Sequence, residues 1–79
     1  MKARVTIMLK DGVLDPQGEA IRNALGGLGH KDVTGVRQGK LIELDLDATD
    51  PEVARAEVAR MCEGLLANTV IEKYSIEIA

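Results

Sequence analysis

The sequence predicts an α+β fold: a two-layer sandwich in the order β-α-β-β-α-β, with an antiparallel or mixed sheet and two helices on one face. Two observations carry that expectation. Apolar residues recur at period two in some stretches and at helical spacing in others. The two prolines, Pro16 and Pro51, each follow an aspartate at the start of a helical stretch.

The first strand covers residues 3–9. Ala3, Val5, Ile7 and Leu9 face one way, and Lys2, Arg4, Thr6, Met8 and Lys10 the other. Asp11-Gly12 then turns the chain toward Asp15-Pro16. The bond before a proline favours extended backbone, which an N-cap residue needs. The Asp15 carboxylate can accept from the free N–H groups of the first turn. Gly18 stands where a Glu or Gln would close a capping box, so the cap is incomplete. Ile21, Leu25 and Leu28 then fall at i, i+4 and i+7, beside Ala20 and Ala24, as on an amphipathic helix. Gly26 and Gly27 weaken its end, and Gly29 is placed to cap it.

Val33-Thr34-Gly35-Val36-Arg37 is a weaker strand, because Val33 and Val36 share a face only if Gly35 marks a bulge. Ile42, Leu44 and Leu46 alternate with Glu43, Asp45 and Asp47 in a clearer one. Residues 33–47 therefore read as two strands joined near Gln38-Gly39, or as one long bent strand. Asp50-Pro51 starts the second helix, whose apolar stripe is Ala54, Val58, Met61, Cys62 and Leu65. Glu57 and Arg60 can pair on its outer side. Asn68 can end it in the left-handed conformation. A last strand follows, with Tyr74, Ile76 and Ile78 on one side. The second sheet face then carries Lys2, Arg4, Leu41, Glu43, Asp45, Lys73 and Glu77.

At 79 residues the chain is one domain, close to the lower limit for a self-sufficient core. Aromatic content is 1%, Tyr74 alone, so the core is aliphatic. So small a core calls for a homo-oligomer. The net charge of −3, with both signs interspersed, argues against a nucleic-acid partner. The sequence holds no apolar run long enough for a bilayer and no signal peptide, and its single cysteine cannot form an internal disulfide. A cytoplasmic location is the simplest expectation.

Chemistry-bearing groups are few. Cys62 sits on an apolar helical stripe and reads as a small buried hydrophobe rather than a nucleophile. His30 reads as an exposed loop residue rather than a proton-transfer group. Glu43, Asp45 and Asp47 could hold a cation, but read better as a solvated face paired with Arg4, Lys2 or Lys73. Gly12 to Gly18 joins a strand to a helix, the right context for anion binding, yet lacks the Lys-Ser/Thr of a phosphate loop. No catalytic, metal or cofactor residue emerges. The residues alone favour a binding or assembly role over an enzyme.

The stretch from Leu9 to Ile21, LKDGVLDPQGEAI, closely resembles the opening of the PurS family, the small subunit of three-part phosphoribosylformylglycinamidine synthase. Val36–Lys40, Leu65–Asn68 and Val70–Glu77 agree as well, in the family's order, so the resemblance covers nearly all of a single PurS-like domain over residues 1–79. Thr69 departs from it, standing where the family usually has proline. The resemblance implies a non-catalytic assembly subunit of an ATP- and glutamine-dependent ligase of purine biosynthesis. In that picture the small subunit forms a homodimer or a tetramer. It bridges a glutaminase subunit and a large synthetase subunit, and the synthetase is the one that uses ATP and Mg. The partner contacts it suggests are Lys10, Asp11, Asp15 and Gln17 at the first junction, Arg37, Gln38 and Lys40 at the proposed turn, and Asn68 and Glu72 at the last junction. Capping and turning alone account for Asp15, Gly39 and Asn68. Arg37 and Lys40 have no evident local task in the sequence. The alternative is a free-standing small-molecule-binding regulatory domain.

Overall fold

β1 (Lys2–Leu9) is the centre of the sheet, and its alternation shows why. Ala3, Val5 and Ile7 are fully buried while Lys2, Arg4 and Thr6 are exposed. The computed structural model describes all 79 residues. In it β1 pairs antiparallel with β2 (Lys40–Asp45) on one side and β3 (Glu72–Ile78) on the other, giving the order β2-β1-β3. Val5 stands between Ile42 and Ile76, and Ile7 between Lys40 and Tyr74. This register puts Ile42, Leu44, Tyr74, Ile76 and Ile78 on the inner face with Ala3, Val5 and Ile7.

The outer face pairs its charges across strands. Arg4 Nε meets Glu43 at 3.1 Å and Lys2 meets Asp45 at 3.7 Å. Both bridges are exposed, worth ~0–1 kcal/mol each, and fix register more than they add stability. They also occupy two of the three carboxylates considered for a cation.

α2 (Pro51–Met61) lies against β3 and supplies Ala54 and Val58 to the core. Asp50 caps it, accepting from Glu52 N at 2.9 Å, with Pro51 at the first helical position. The helix continues into a single π-helical turn, Cys62–Leu66, and ends as Ala67 turns extended. Cys62 lies fully buried between Val58 and the sheet residues of the same apolar cluster. Burial pushes its thiol pKa up, with the charge of Glu63 adding to the effect. That is the environment of a packing residue, and it opposes formation of the thiolate a nucleophile needs. Asn68 does not adopt the left-handed conformation expected of it. No residue other than glycine has positive φ. Its side chain instead accepts from Val70 N at 3.2 Å and its carbonyl from Ile71 N and Glu72 N, which turns the chain into β3.

α1 (Pro16–Gly27) begins and ends as its sequence demands. The Asp15 side chain accepts from Gly18 N at 2.9 Å. At the far end His30 N donates to Leu25 O at 2.9 Å and Gly29 N to Gly26 O at 3.1 Å, with Gly29 at φ +101°. These bonds form a Schellman cap. Its packing differs from expectation. The α+β class and its antiparallel strands hold, but α2 alone lies on the sheet, and α1 stands off the sheet's end. Leu28 is 76% exposed and Ile21 39%.

The weaker strand expected at 33–37 does not pair within this chain. Residues 33–39 run without a ladder into β2, which begins at Lys40. Val33 and Val36 offer no common apolar face at that spacing, and the Gln38 N–H is taken by the Asp15 carboxylate.

Candidate functional site

All the residues singled out at the three junctions meet at one end of the sheet. The antiparallel register makes this unavoidable: β1 ends where β2 and β3 begin, so the segments after Leu9, before Lys40 and before Glu72 are neighbours. Lys10 N donates to Ile71 O at 2.8 Å, which stitches the first junction to the last. Val13 N returns to Lys10 O at 3.1 Å across a turn in which Gly12 takes φ +86°.

Asp15 is the hub. Only 7% exposed, it uses one carboxylate oxygen for Gly18 N and the other for Gln38 N at 2.7 Å. The N–H of Gln38, then that of Gly18, and the nearby Arg37 guanidinium hold its carboxyl below the ordinary value. The helix cap is therefore also a clamp on residues 36–38. Arg37 answers from the other side, donating to the carbonyls of Val13 and Lys10 at 3.0 Å each and more weakly to Leu9 at 3.5 Å. It thus has the local task that the sequence did not reveal.

Two glycines make the close approach possible. A Cβ on Gly18 would collide with the Val36 carbonyl oxygen and come within 2.8 Å of Asp15 Oδ2. A Cβ on Gly39 would strike the Met8 sulfur and sit 2.5 Å from the Ile7 carbonyl. The gap in the capping box at Gly18 is thus the space into which residue 36 fits.

Beside this clamp opens a cleft of about 380 Å³, lined by Ile7, Leu9, Asp15, Pro16, Gln17, Gln38, Gly39, Lys40 and Glu72. It brings together five of the nine candidates: Asp15, Gln17, Gln38, Lys40 and Glu72. Glu72 accepts from Asn68 N at 2.6 Å and faces Lys40 Nζ at 4.0 Å. Asn68 thus sits behind the cleft rather than in it. Arg37 lines the opposite side of the clamp with Val13 and Val36. Asp11 and Lys10 lie exposed at the rim, Asp11 within 3.4 Å of Lys73 Nζ. His30 is exposed at the far end of α1, away from every one of these groups. Ile7, Leu9 and Pro16 also line the cleft and were read from sequence only as strand and helix-start residues, while Gly18 and Gly39 stood in the junction stretches without their close-packing task being visible. The two glycines had a signal, since Gly18 sits inside a helical stretch and Gly39 abuts a strand, both costly places for glycine.

A family model described as PurS, phosphoribosylformylglycinamidine (FGAM) synthase, matches residues 2–79. The chain belongs to the PurS family. Among its relatives, the phosphoribosylformylglycinamidine synthase subunit PurS of Mycobacterium leprae is 52% identical over 75 residues, covering 95% of this chain and 91% of that one. The PurS subunit of Archaeoglobus fulgidus is 53% identical over 76 residues, covering 96% and 95%. Among solved structures, Methanocaldococcus jannaschii PurS, one of the subunits of formylglycinamide ribonucleotide amidotransferase in the purine biosynthetic pathway, superposes with a TM-score of 0.88 at 43% identity, covering 96% of this chain and 92% of that one. A chain of the Thermotoga maritima PurLQS structure gives 0.87 at 34% identity, covering 96% and 93%. The PurS resemblance of the junction stretches is thereby established over the whole fold.

Proposed function

We propose that this chain is the small, non-catalytic assembly subunit of phosphoribosylformylglycinamidine synthase, an ATP- and glutamine-dependent ligase of purine biosynthesis in the cytoplasm. In this role it pairs with a second copy of itself and bridges a glutaminase subunit and a synthetase subunit, so that ammonia released by the first reaches the second. ATP and Mg are handled by the synthetase. The observation that carries the reading is the near full-length match to PurS subunits, including a chain of the PurLQS structure.

Two features of the chain support it. The chain leaves α1 and much of the inner face of β2 and β3 incompletely covered, as suits a protein that functions only in association. The junction end is a rigid, polar surface held by backbone hydrogen bonds, which suits docking rather than chemistry. We assign partner contact there to Lys10, Asp11, Gln17, Gln38 and Lys40, whose side chains are exposed. Asp15, Arg37 and Asn68 hold the surface in shape, and Glu72 orients Lys40.

The test is co-purification with the glutaminase and synthetase subunits, with and without glutamine. A ternary assembly that forms with this chain and fails without it supports the proposal. Two partners that associate equally well in its absence overturn it.

A further inference from the structure

The junction cleft, about 380 Å³ in volume, lies near the lower end of the range for binding pockets. It has room for a side chain and none for a helix. Its hydrogen-bonding groups divide into engaged and free. The carboxylate acceptors are engaged. One Asp15 oxygen holds Gly18 N and the other Gln38 N. One Glu72 oxygen holds Asn68 N, and the other faces Lys40. The donors are free. Lys40 Nζ stands 4.0 Å from Glu72, too far for a hydrogen bond, on a side chain 55% exposed. The side-chain amides of Gln17 and Gln38, both exposed residues, make no hydrogen bond within the chain.

An occupant that suits this cleft brings acceptors. Charge narrows the choice. Lys40 and the Arg37 guanidinium are balanced by Asp15 and Glu72, so a dianionic phosphate would face two carboxylates. A single carboxylate needs one cation, and Lys40 supplies it. A free amino acid would bring an ammonium too, and the carboxylates that could receive it are engaged. Ile7, Leu9 and Pro16 give the cleft an apolar wall, against which the methylenes of a stem can pack. These requirements describe a glutamate or aspartate side chain borne on a polypeptide.

We propose that the junction cleft receives an acidic side chain of a partner subunit of the ligase, its carboxylate held by Lys40 Nζ and the side-chain amides of Gln17 and Gln38. The inference rests on the assembly role proposed above and specifies the chemistry of one contact. Glu72 keeps Lys40 at the cleft, and the hold of Asp15 on Gln38 N keeps the opposite wall in place.

The test uses the complex of the full chain with the glutaminase and synthetase subunits. A water-soluble carbodiimide joins an ammonium to a carboxylate in contact with it, forming an amide and taking up the water lost as it becomes a urea. The treated complex is digested, and the peptides bearing Lys40 are identified by mass spectrometry. In parallel, Lys40→Ala is titrated against its partners beside wild type and Lys31→Ala, an exposed lysine just beyond the far end of α1, with the fold of each checked by circular dichroism. The expected product joins Lys40 to an aspartate or glutamate of a partner subunit. The dissociation constant should rise roughly 30-fold or more in Lys40→Ala and stay near wild type in Lys31→Ala. The inference falls if Lys40 gives no product with a partner subunit, whether it reacts with Glu72, with a second copy of this chain or with nothing. It falls equally if Lys40→Ala binds like wild type or loses no more affinity than Lys31→Ala. In those cases a complex that still forms leaves the assembly role standing. A wild-type chain that binds neither subunit overturns the assembly role and this inference together.

Discussion

Replacing Gly18 with alanine should destabilise the protein, although the same change in an exposed helix normally stabilises it. In a helix interior Gly→Ala is worth roughly 1 kcal/mol in favour of alanine. At Gly18 the new methyl would meet the Val36 carbonyl oxygen and lie 2.8 Å from Asp15 Oδ2 and 3.0 Å from its Cγ. Neither neighbour is the free end of a flexible side chain. Residue 36 is backbone, and the Asp15 carboxylate is held by two N–H groups. Relief therefore requires moving residues 36–38 off the helix, and overpacking of this kind costs about 1–3 kcal/mol. Gly26 provides the contrast. It lies in the same helix with nothing within 4 Å of its added Cβ, so Gly26→Ala should stabilise by up to roughly 1 kcal/mol. Urea unfolding at one fixed protein concentration reads both, the concentration being fixed because association adds to apparent stability. With a urea m-value of about 1–3 kcal/mol per M for a small protein, 1 kcal/mol moves the midpoint by roughly 0.3–1 M. The midpoint should fall for Gly18→Ala and rise for Gly26→Ala. A Gly18→Ala variant stabilised as much as Gly26→Ala would refute the close approach of residue 36 to α1.

Four further outcomes are expected. Because the Asp15 pKa is lowered on folding, its stabilising share is complete above the ordinary carboxylate value and is lost as pH falls through the folded-state value. Wild type should therefore lose more stability than Asp15→Asn between about pH 5 and pH 2, as read by thermal melts across that range. Cys62, buried and with its thiol pushed up, should react with a thiol reagent only as fast as the protein opens, and Cys62→Ser should cost about 1–3 kcal/mol by chemical denaturation. Ile7→Ala, at a side chain 1% exposed, should cost about 2–5 kcal/mol in the same assay. Arg37→Lys keeps the charge but cannot fork to two carbonyls. It should lower stability by roughly 0.5–1.5 kcal/mol and speed amide exchange of Val13 and Gln38.

The elements themselves were legible because each carried a local signal. Period two marked β1, β2 and β3, and Asp-Pro marked both helix starts to the residue. Gly29 was legible as a cap because a Schellman end needs positive φ there. What local pattern could not show was where α1 goes. An amphipathic stripe states that a helix has a face to bury, not whether the burying surface lies in its own chain. Arg37 was opaque for a related reason. Its partners are backbone carbonyls 24 and 27 residues away, which any residue type can supply. Gly18 looked like a flaw in a cap until the fold brought Val36 beside it. Asn68 was misread because its type suits two local roles, and the turn into β3 used the side-chain oxygen rather than the left-handed backbone. The junction stretches stood out by resemblance, and the antiparallel register then gathered them at one end of the sheet.

The central claim, that this chain makes two catalytic partners work as one ligase, is tested most directly by reconstitution. Purified synthetase and glutaminase subunits are assayed for amidine formation with glutamine and, separately, with ammonium as the nitrogen source, in the presence and absence of this chain. The account predicts that glutamine-dependent turnover appears only when the chain is added, while ammonium-dependent turnover by the synthetase changes little. Equal glutamine-dependent turnover with and without the chain would contradict it.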